Sequence, residues 1–364
     1  MTGVEPLTIS DTKGGVGSPL VAISIPNWNG WRDTLECIES VRQLDYPNFV
    51  IVVVDNDSVD GSAEKIRTWA DQCPGLVLAE YSGETARRGG EVACEQALSH
   101  VAAACRLVLI RNAENLGFTG GNNVAMDYAL HRSVPADYVF MLNNDAVPSG
   151  DCLTRLVAAD RTRSAGIVGA VVLTENGQDI EFAKSGPTLA LFFAPLIKSY
   201  QPLPKTGEAI WESGYVNGSA MLIRKDVLEA IHRLGRGYLD DRLFVYWDEI
   251  AFCNNAWKLG FKCIVARDAT VRHKGGKSSG GFSGPIYYYY SGRNRVLLVN
   301  EFLPFRWRVV FHLIHAPMRL VSALVNLRAR RVLAARAIVL GLIDGYRGVT
   351  GKWKDQDRVR KPQE

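Results

Sequence analysis

"FVIVVVDNDSVDGS" (Phe49–Ser62) opens with six consecutive apolar residues, reaches Asp55 and breaks into a polar turn. A strand wetted on one side alternates apolar and polar residues. A strand without alternation is buried on both faces, as in parallel sheets covered by helices. Segments with helical spacing flank the run. Upstream, "WRDTLECIESVRQL" (Trp31–Leu44) puts Leu35, Ile38, Val41 and Leu44 near one face. Downstream, a helix is expected from about Ser62 to Ala70.

The alternation continues in both directions. "VAISI" (Val21–Ile25), "LVLIR" (Leu107–Arg111) and Tyr138–Leu142 within "DYVFMLNNDAVPSG" read as further buried strands, with a helix over Gly120–His131. This predicts an α/β fold with a mostly parallel central sheet and helices on both faces. In such sheets ligands sit beyond the carboxyl ends of the strands. The polar clusters fall there: Asn27 and Asn29, Asp55 to Asp57, Asn112 to Asn115, and Asn143 to Asp145. Residues 81–105 break the rhythm and read as an insertion, a loop "SGETARRGGE" followed by a short helix in "VACEQALSHVAAA". The second half is less regular. Strands are expected at Gly166–Leu173, Val216–Arg224 and "KCIVAR", and a helix at Asp248–Gly260. From about Tyr287 the chain reads as helical and basic.

The chain has 364 residues, 47% of them hydrophobic, enough for one large domain or two ordinary ones. A net charge of +4 is too mild to point to nucleic acid. The seven cysteines are scattered, odd in number and never spaced C-x-x-C, which fits reduced thiols in a cytoplasmic protein better than disulfides or zinc. The N-terminus does not read as a signal peptide. No uninterrupted apolar run reaches the roughly 20 residues of a membrane span; the nearest, Val309–Leu327, contains His312, His315, Pro317 and Arg319.

Several stretches carry chemistry. "TKGGVGSP" (Thr12–Pro19) lacks the Gly-Lys-Ser/Thr of a phosphate-binding loop and precedes its strand, so it reads as part of a loose arm, residues 1–18. Asp55 at a strand end suits a base N–H or ribose hydroxyls, or simply caps the next helix. "NLGFTGGNN" (Asn115–Asn123) allows close backbone approach through Gly117, or forms a tight turn and helix start. "LNNDA" offers Asp145 to a divalent cation; Mg²⁺ and Mn²⁺ favour oxygen ligands. "FVYWDEIAF" (Phe244–Phe252) places Asp248 and Glu249 at a helix start, where acids serve as dipole partners or as a general base. "RHKGGKSSGG" (Arg272–Gly281) offers His273 at the start of a basic, Gly-rich loop, either a structural histidine or a phosphate or metal contact.

Taken in order, "VAISIPNWNG", "VVVDNDSVDGS", "NLGFTGGNN", "MLNNDA", "NGSAMLIRKDVL", "FVYWDEIAF", "HKGGKSS" and "YYYYSGRNRVLL" resemble the family 2 glycosyltransferases, and within them a bacterial rhamnosyltransferase-like branch. The resemblance covers about residues 20–300. It implies a GT-A fold over 19–290, with a nucleotide-binding half at 19–165 and an acceptor-binding half at 166–290. Pro26, Asn27 and Asn29 would line the nucleotide pocket, and Asp55, with Asp57 on the same turn, would meet the base. Gly117, Asn122 and Asn123 would lie near the ribose, diphosphate or donor sugar. Asn143, Asn144 and Asp145 would stand in the metal-binding place, with Asn143 replacing the first acid, and His273 would assist. Asp248 and Glu249 would form the acidic pair holding the base, in the order Asp-Glu where many relatives have Glu-Asp.

The expected activity is inverting transfer of a sugar, with rhamnose from dTDP-rhamnose as one candidate, to a lipid-linked or cell-surface polysaccharide acceptor. Mg²⁺ or Mn²⁺ is the expected cofactor. A nucleotidyltransferase and a non-catalytic sugar-nucleotide-binding protein are the alternatives. Residues 291–364, rich in arginine among apolar groups, suit an anionic membrane surface, or a helical lid on the catalytic domain. The expected location is cytoplasmic, peripheral on the inner face of the cell membrane.

Overall fold

The computed structural model describes residues 17–186, 188–193, 200–201, 207–275 and 284–356. Most of the N-terminal arm, and Lys277 with the rest of its Gly-rich loop, lie outside the described residues.

The N-terminal half runs β1 (Val21–Asn27), α1 (Trp31–Val41), β2 (Phe49–Asp55), α2 (Ser62–Asp71), β3 (Val77–Ser82), α3 (Gly83–Arg87), α4 (Val92–Ser99), β4 (Arg106–Arg111), α5 (Gly117–His131) and β5 (Tyr138–Leu142). The chain continues with β6 (Ala146–Pro148), α6 (Cys152–Arg163), β7 (Gly166–Thr174), β8 (Ile180–Phe182), β9 (Lys184–Ser185), α7 (Thr188–Phe192), β10 (Tyr200–Gln201), β11 (Ile210–Glu212), β12 (Ala220–Arg224) and α8 (Lys225–His232). It ends with α9 (Asp248–Lys258), β13 (Lys262–His273), α10 (Pro285–Phe302), α11 (Phe305–Arg328) and α12 (Val332–Arg347).

The main sheet has the order β3-β4-β2-β1-β5-β12-β7-β13-β11. From β3 to β5 every pairing is parallel. β12 enters antiparallel between β5 and β7, and β13 then pairs parallel with β7. β2 is buried at all seven positions and β5 at all five, so the absence of alternation in the sequence has its expected cause. Two apolar clusters, one on each face of the sheet, form the core.

Three local readings change. Val77–Ser82 is an edge strand, hidden in sequence because only Ala79 and Tyr81 turn inward while its other residues are wetted. "SGETARRGGE" is not all loop: Ser82 Oγ accepts from Thr85 N–H and starts the short helix α3. The strand expected from Val216 begins at Ala220, because Asn217 Oδ1 and the Asn217 carbonyl turn the chain at Ser219 and Ala220.

The C-terminal helices pack on one another, α12 lying against both α10 and α11. α11 buries Phe311, His315, Ala323 and Asn326. Its opposite face exposes Phe305, Val309, Leu313, Leu320, Val321 and Leu324. α11 is long and apolar enough to cross a membrane, in a stretch whose polar residues had argued against a span in the sequence. All seven cysteines are free.

Candidate active site

The carboxyl ends of β1 and β5, the start of α5, the loop before α9 and the C-terminal segment enclose a cavity of about 140 Å³. Its polar wall is Asn27, Asn143, Asn144 and Asp145, and its apolar wall is Phe118, Phe244, Val245 and Ile286. Pro26, Trp28, Asn56, Asn115, Gly117 and Gln356 complete it. Gly117 has φ +74°, and a Cβ there would come within 2.4 Å of the Phe244 carbonyl oxygen, so only glycine fits.

Asn143 and Asp145 sit where β5 runs out. The turn is fixed by Ala146 N–H donating to the Asn143 carbonyl and by Asn143 N–H donating to the Ser219 carbonyl. β13 then brings His273 alongside through its pairing with Ala146. The ring Nε2 lies 3.2 Å from Asp145 Oδ1 and 3.1 Å from Asn143 Nδ2, while Nδ1 lies 3.1 Å from Glu181 Oε2. Burial disfavours charge on this ring, but hydrogen bonds to Asp145 and Glu181 outweigh it and raise its pKa to about 10. Lys274 continues the clamp, its backbone N–H on the Asp145 carbonyl and its ammonium 2.6 Å from both Asp33 and Glu36.

The donor set suits Mg²⁺ or Mn²⁺. Asp145 Oδ1, His273 Nε2 and the Asn143 amide converge on one corner, and Asn143 Oδ1 is buried without a partner. A cation there would be held by the Asp145 carboxylate, a neutral His273 ring and the Asn143 oxygen, with Glu181 orienting the ring from behind. Among the described residues no three His, Cys, Asp or Glu side chains are gathered to hold a metal by themselves. Ligand oxygens would complete the coordination, as is usual for Mg²⁺ beside phosphates.

The acidic pair opens α9. The loop before it is contorted: Phe244, Tyr246 and Trp247 all have positive φ, between 64° and 71°. Such backbone is costly and persists only where its surroundings enforce it. α10 does so. Arg293, fully buried, donates to the carbonyls of Arg242 and Leu243, and Asn294 Nδ2 donates to those of Leu243, Val245 and Tyr246. Glu249 rests against the Gly218 turn, where a Cβ added to Gly218 would lie 3.5 Å from Glu249 Cβ and 3.9 Å from Phe118 of the cavity wall. Ser219 of the same turn holds Asn143, so two hydrogen-bonded turns connect the pair to the Asp145 corner.

Asp248 is only 2% exposed, its Oδ2 has no partner, and burial followed by the Glu249 charge pushes its pKa well above the usual carboxylate range. Glu249 is half-buried, and burial raises its pKa to about 7. The unpartnered buried atoms Asn29 Nδ2, Asn143 Oδ1, Ser219 Oγ and Asp248 Oδ2 belong to these strand ends, turns and helix start. Natural proteins leave few such atoms without a ligand or water to satisfy them.

Not all the residues marked in sequence come together here. Pro26, Asn27, Gly117, Asn143, Asn144 and Asp145 line the cavity. Asp55 braces strand ends, taking Asn27 Nδ2 at 2.6 Å and Ser58 N–H at 3.1 Å. Asp57 is exposed on a left-handed turn residue, and Asn29 Oδ1 holds the same turn through Val59 N–H. Asn122 accepts from Ser24 and donates to the Phe118 carbonyl. Asn123 ties down Leu239 and Asp241. Both amides are fixed within the fold. Sequence reading missed Glu181, Phe118, Ile286 and Gln356. Glu181 and Gln356 stand in segments without a motif, and aromatic and aliphatic wall residues look like core.

The doubly covered, mostly parallel sheet is that of a GT-A fold, as its superposition on solved glycosyltransferases shows. The profile described as Glycosyl transferase family 2 matches residues 22–104, and that described as Glycosyltransferase like family 2 matches residues 89–283. The chain belongs to the family 2 glycosyltransferases. It is 25% identical over 192 residues to the low-salt glycan biosynthesis hexosyltransferase Agl10 of Haloferax volcanii, a match covering 53% of this chain and 60% of that protein. Among solved structures it superposes with TM-score 0.51 and 14% identity on the mannosyltransferase PcManGT of Pyrobaculum calidifontis in complex with GDP-Man and Mn²⁺, over 90% of this chain and 87% of that one. GalNAc-T7 with UDP, GalNAc and Mn²⁺ gives TM-score 0.51 and 15% identity over 82% and 55% of the two chains.

Proposed function

We propose that this protein is an inverting glycosyltransferase that moves a sugar from a nucleoside-diphosphate donor to a hydroxyl of a lipid-linked or cell-surface polysaccharide acceptor. The observation that carries the reading is the connection, through the Gly218–Ser219 turn, of the Asn143–Asp145 corner to a carboxylate with a pKa of about 7. Asp145 and His273, with the Asn143 oxygen, would hold Mg²⁺ or Mn²⁺. A cation there neutralises charge on a departing diphosphate.

Glu249 is the base. A carboxylate poised near neutrality takes a proton from a hydroxyl more effectively than one of ordinary acidity. Asp248 lies deeper, and burial followed by the Glu249 charge raises its pKa well above the usual carboxylate range, which disfavours a second charge beside Glu249. The freed hydroxyl oxygen attacks the anomeric carbon from the face opposite the leaving group. One displacement inverts the configuration without a covalent intermediate.

The apolar wall of Phe118, Phe244, Val245 and Ile286 suits the methyl group of a 6-deoxyhexose, which favours rhamnose from dTDP-rhamnose among donors. The exposed apolar stripe of α11, flanked by exposed Arg306, Arg328, Arg330 and Arg331, suits peripheral attachment to an anionic cytoplasmic membrane surface beside a lipid-linked acceptor.

Incubation with a panel of nucleotide sugars and Mn²⁺ tests the activity. Release of free nucleoside diphosphate, with the opposite anomeric configuration in the product by NMR, supports it. Release of pyrophosphate from a nucleoside triphosphate and a sugar 1-phosphate, in a parallel incubation, instead identifies a nucleotidyltransferase. Binding of nucleotide sugars without turnover on any acceptor leaves a binding protein.

A further inference from the structure

The C-terminal segment reaches back into the candidate site, 71 positions after α10 begins at Pro285. α10 holds it there. Arg293 Nη1 donates to the Gly351 carbonyl, and Gly351 N–H donates to the Arg242 carbonyl at 2.8 Å. Trp353 is buried and stacks on Tyr289, with ring centroids 4.5 Å apart and planes 9° apart. These contacts deliver Gln356, 2% exposed, to the cavity that also holds Asn27 and Asp145.

The phenol of Tyr290 accounts for the oxygen end of the Gln356 amide. Trp353 N–H donates to Tyr290 Oη at 2.8 Å, so the phenol is already an acceptor. Its own proton goes to Gln356 Oε1 at 2.5 Å. The amide oxygen is thereby occupied, and among the described residues nothing accepts from Nε2. With its oxygen taken, the amide has its N–H₂ to offer to an acceptor in the cavity that Gln356 lines.

We propose that Gln356 donates a hydrogen bond from Nε2 to a sugar hydroxyl in the active site, so that the segment 351–356 forms part of the sugar-binding wall. This rests on the glycosyltransferase reading and deepens it. A sugar hydroxyl accepts such a bond readily. The hydroxyl belongs either to the donor hexose or to the acceptor glycan, and the experiment separates the two. Tyr290 is the positioning residue that sets the orientation of the amide.

The test uses the full chain and the nucleotide sugar that the donor panel identifies. Gln356→Leu keeps the volume and removes the donor; Gln356→Glu keeps the bond from Tyr290 and replaces Nε2 with an acceptor. Tyr290→Phe frees the amide to turn. The expected result is a loss of roughly three- to tenfold in kcat/KM for both Gln356 variants. Tyr290→Phe should show a smaller loss in the same direction. Affinity for the free nucleoside diphosphate should stay at the wild-type value in the uncharged Gln356→Leu. A rise confined to donor KM assigns the hydroxyl to the donor sugar, and one confined to acceptor KM assigns it to the acceptor. Wild-type kcat/KM in both Gln356 variants overturns the proposal while leaving the transferase reading intact. Failure of the wild-type protein to bind any nucleotide sugar overturns both.

Discussion

The imidazole Nε2 of His273 lies 3.2 Å from Oδ1 of Asp145, and the opposite nitrogen of the same ring rests on Glu181. A histidine between a cavity-lining carboxylate and one behind it is the usual arrangement of a ligand oriented from outside the first coordination layer. Glu181→Gln, which removes the charge and keeps the shape, should weaken Mn²⁺ binding in the presence of nucleoside diphosphate by about 10- to 100-fold. Electron paramagnetic resonance of free Mn²⁺ measures it, and wild-type affinity would show that Glu181 is only a packing residue.

The proposed role of Glu249 as base predicts a pH dependence. Its carboxylate must be free to accept a proton, so kcat should rise as pH passes through about 7 and level off above. Glu249→Gln should lower kcat by about 100-fold or more, whereas Asp248→Asn should keep the rise with pH. A rise preserved in Glu249→Gln and lost in Asp248→Asn would exchange their roles.

The same shift predicts a stability effect. A carboxyl group whose pKa is raised on folding binds protons more tightly in the native state. Its favourable contribution is therefore present below the unfolded pKa of 4.5 and is lost as pH rises through about 7. Glu249→Gln should accordingly raise stability at pH 8 by on the order of 2 kcal/mol. It should change it little at pH 4. Urea melts at the two pH values check the sign, and equal effects at both would contradict the raised pKa.

Arg293 joins the contorted loop before α9 to the C-terminal segment. Replacing it with Met removes its bonds to the carbonyls of Arg242, Leu243 and Gly351, of which the first two keep Gly351 N–H and Asn294 Nδ2 as donors. The cost should be about 2–4 kcal/mol, from losing hydrogen bonds that a buried charge makes to carbonyls. Urea denaturation measures it, and a change below about 1 kcal/mol would mean the loop holds its shape unaided.

The membrane reading is tested on α11. Leu313→Glu with Leu320→Glu places two charges on its exposed face without touching buried Phe311 or His315. Flotation with vesicles containing anionic lipid should drop several-fold while the melting temperature stays constant. Undiminished flotation would move the attachment elsewhere.

The parallel half of the sheet was legible because β2 and β5 carry unbroken apolar runs, and β1 one interrupted only by Ser24, that double burial explains. The edge strand β3 was not, since wetted positions dilute its pattern. At the site, residues whose type suits cations and hydroxyls stood out, and the Asn143–Asp145 corner with His273 was found that way. The same rule also marked Asn122 and Asn123, because a buried amide that braces a loop cannot be told by type from one that meets a ligand. Glu181 and Gln356 reach the site only through β8 and the segment after α12, a long-range placement that no local pattern records.

The measurement that bears most directly on the account is Mn²⁺ affinity with the matching nucleoside diphosphate present, in wild-type protein and in Asp145→Ala. A carboxylate that shares a cation with a diphosphate predicts tight, diphosphate-dependent Mn²⁺ binding in the wild type and a loss of at least 100-fold in the variant, on the order of 3 kcal/mol. Equal affinity in the two proteins would contradict it.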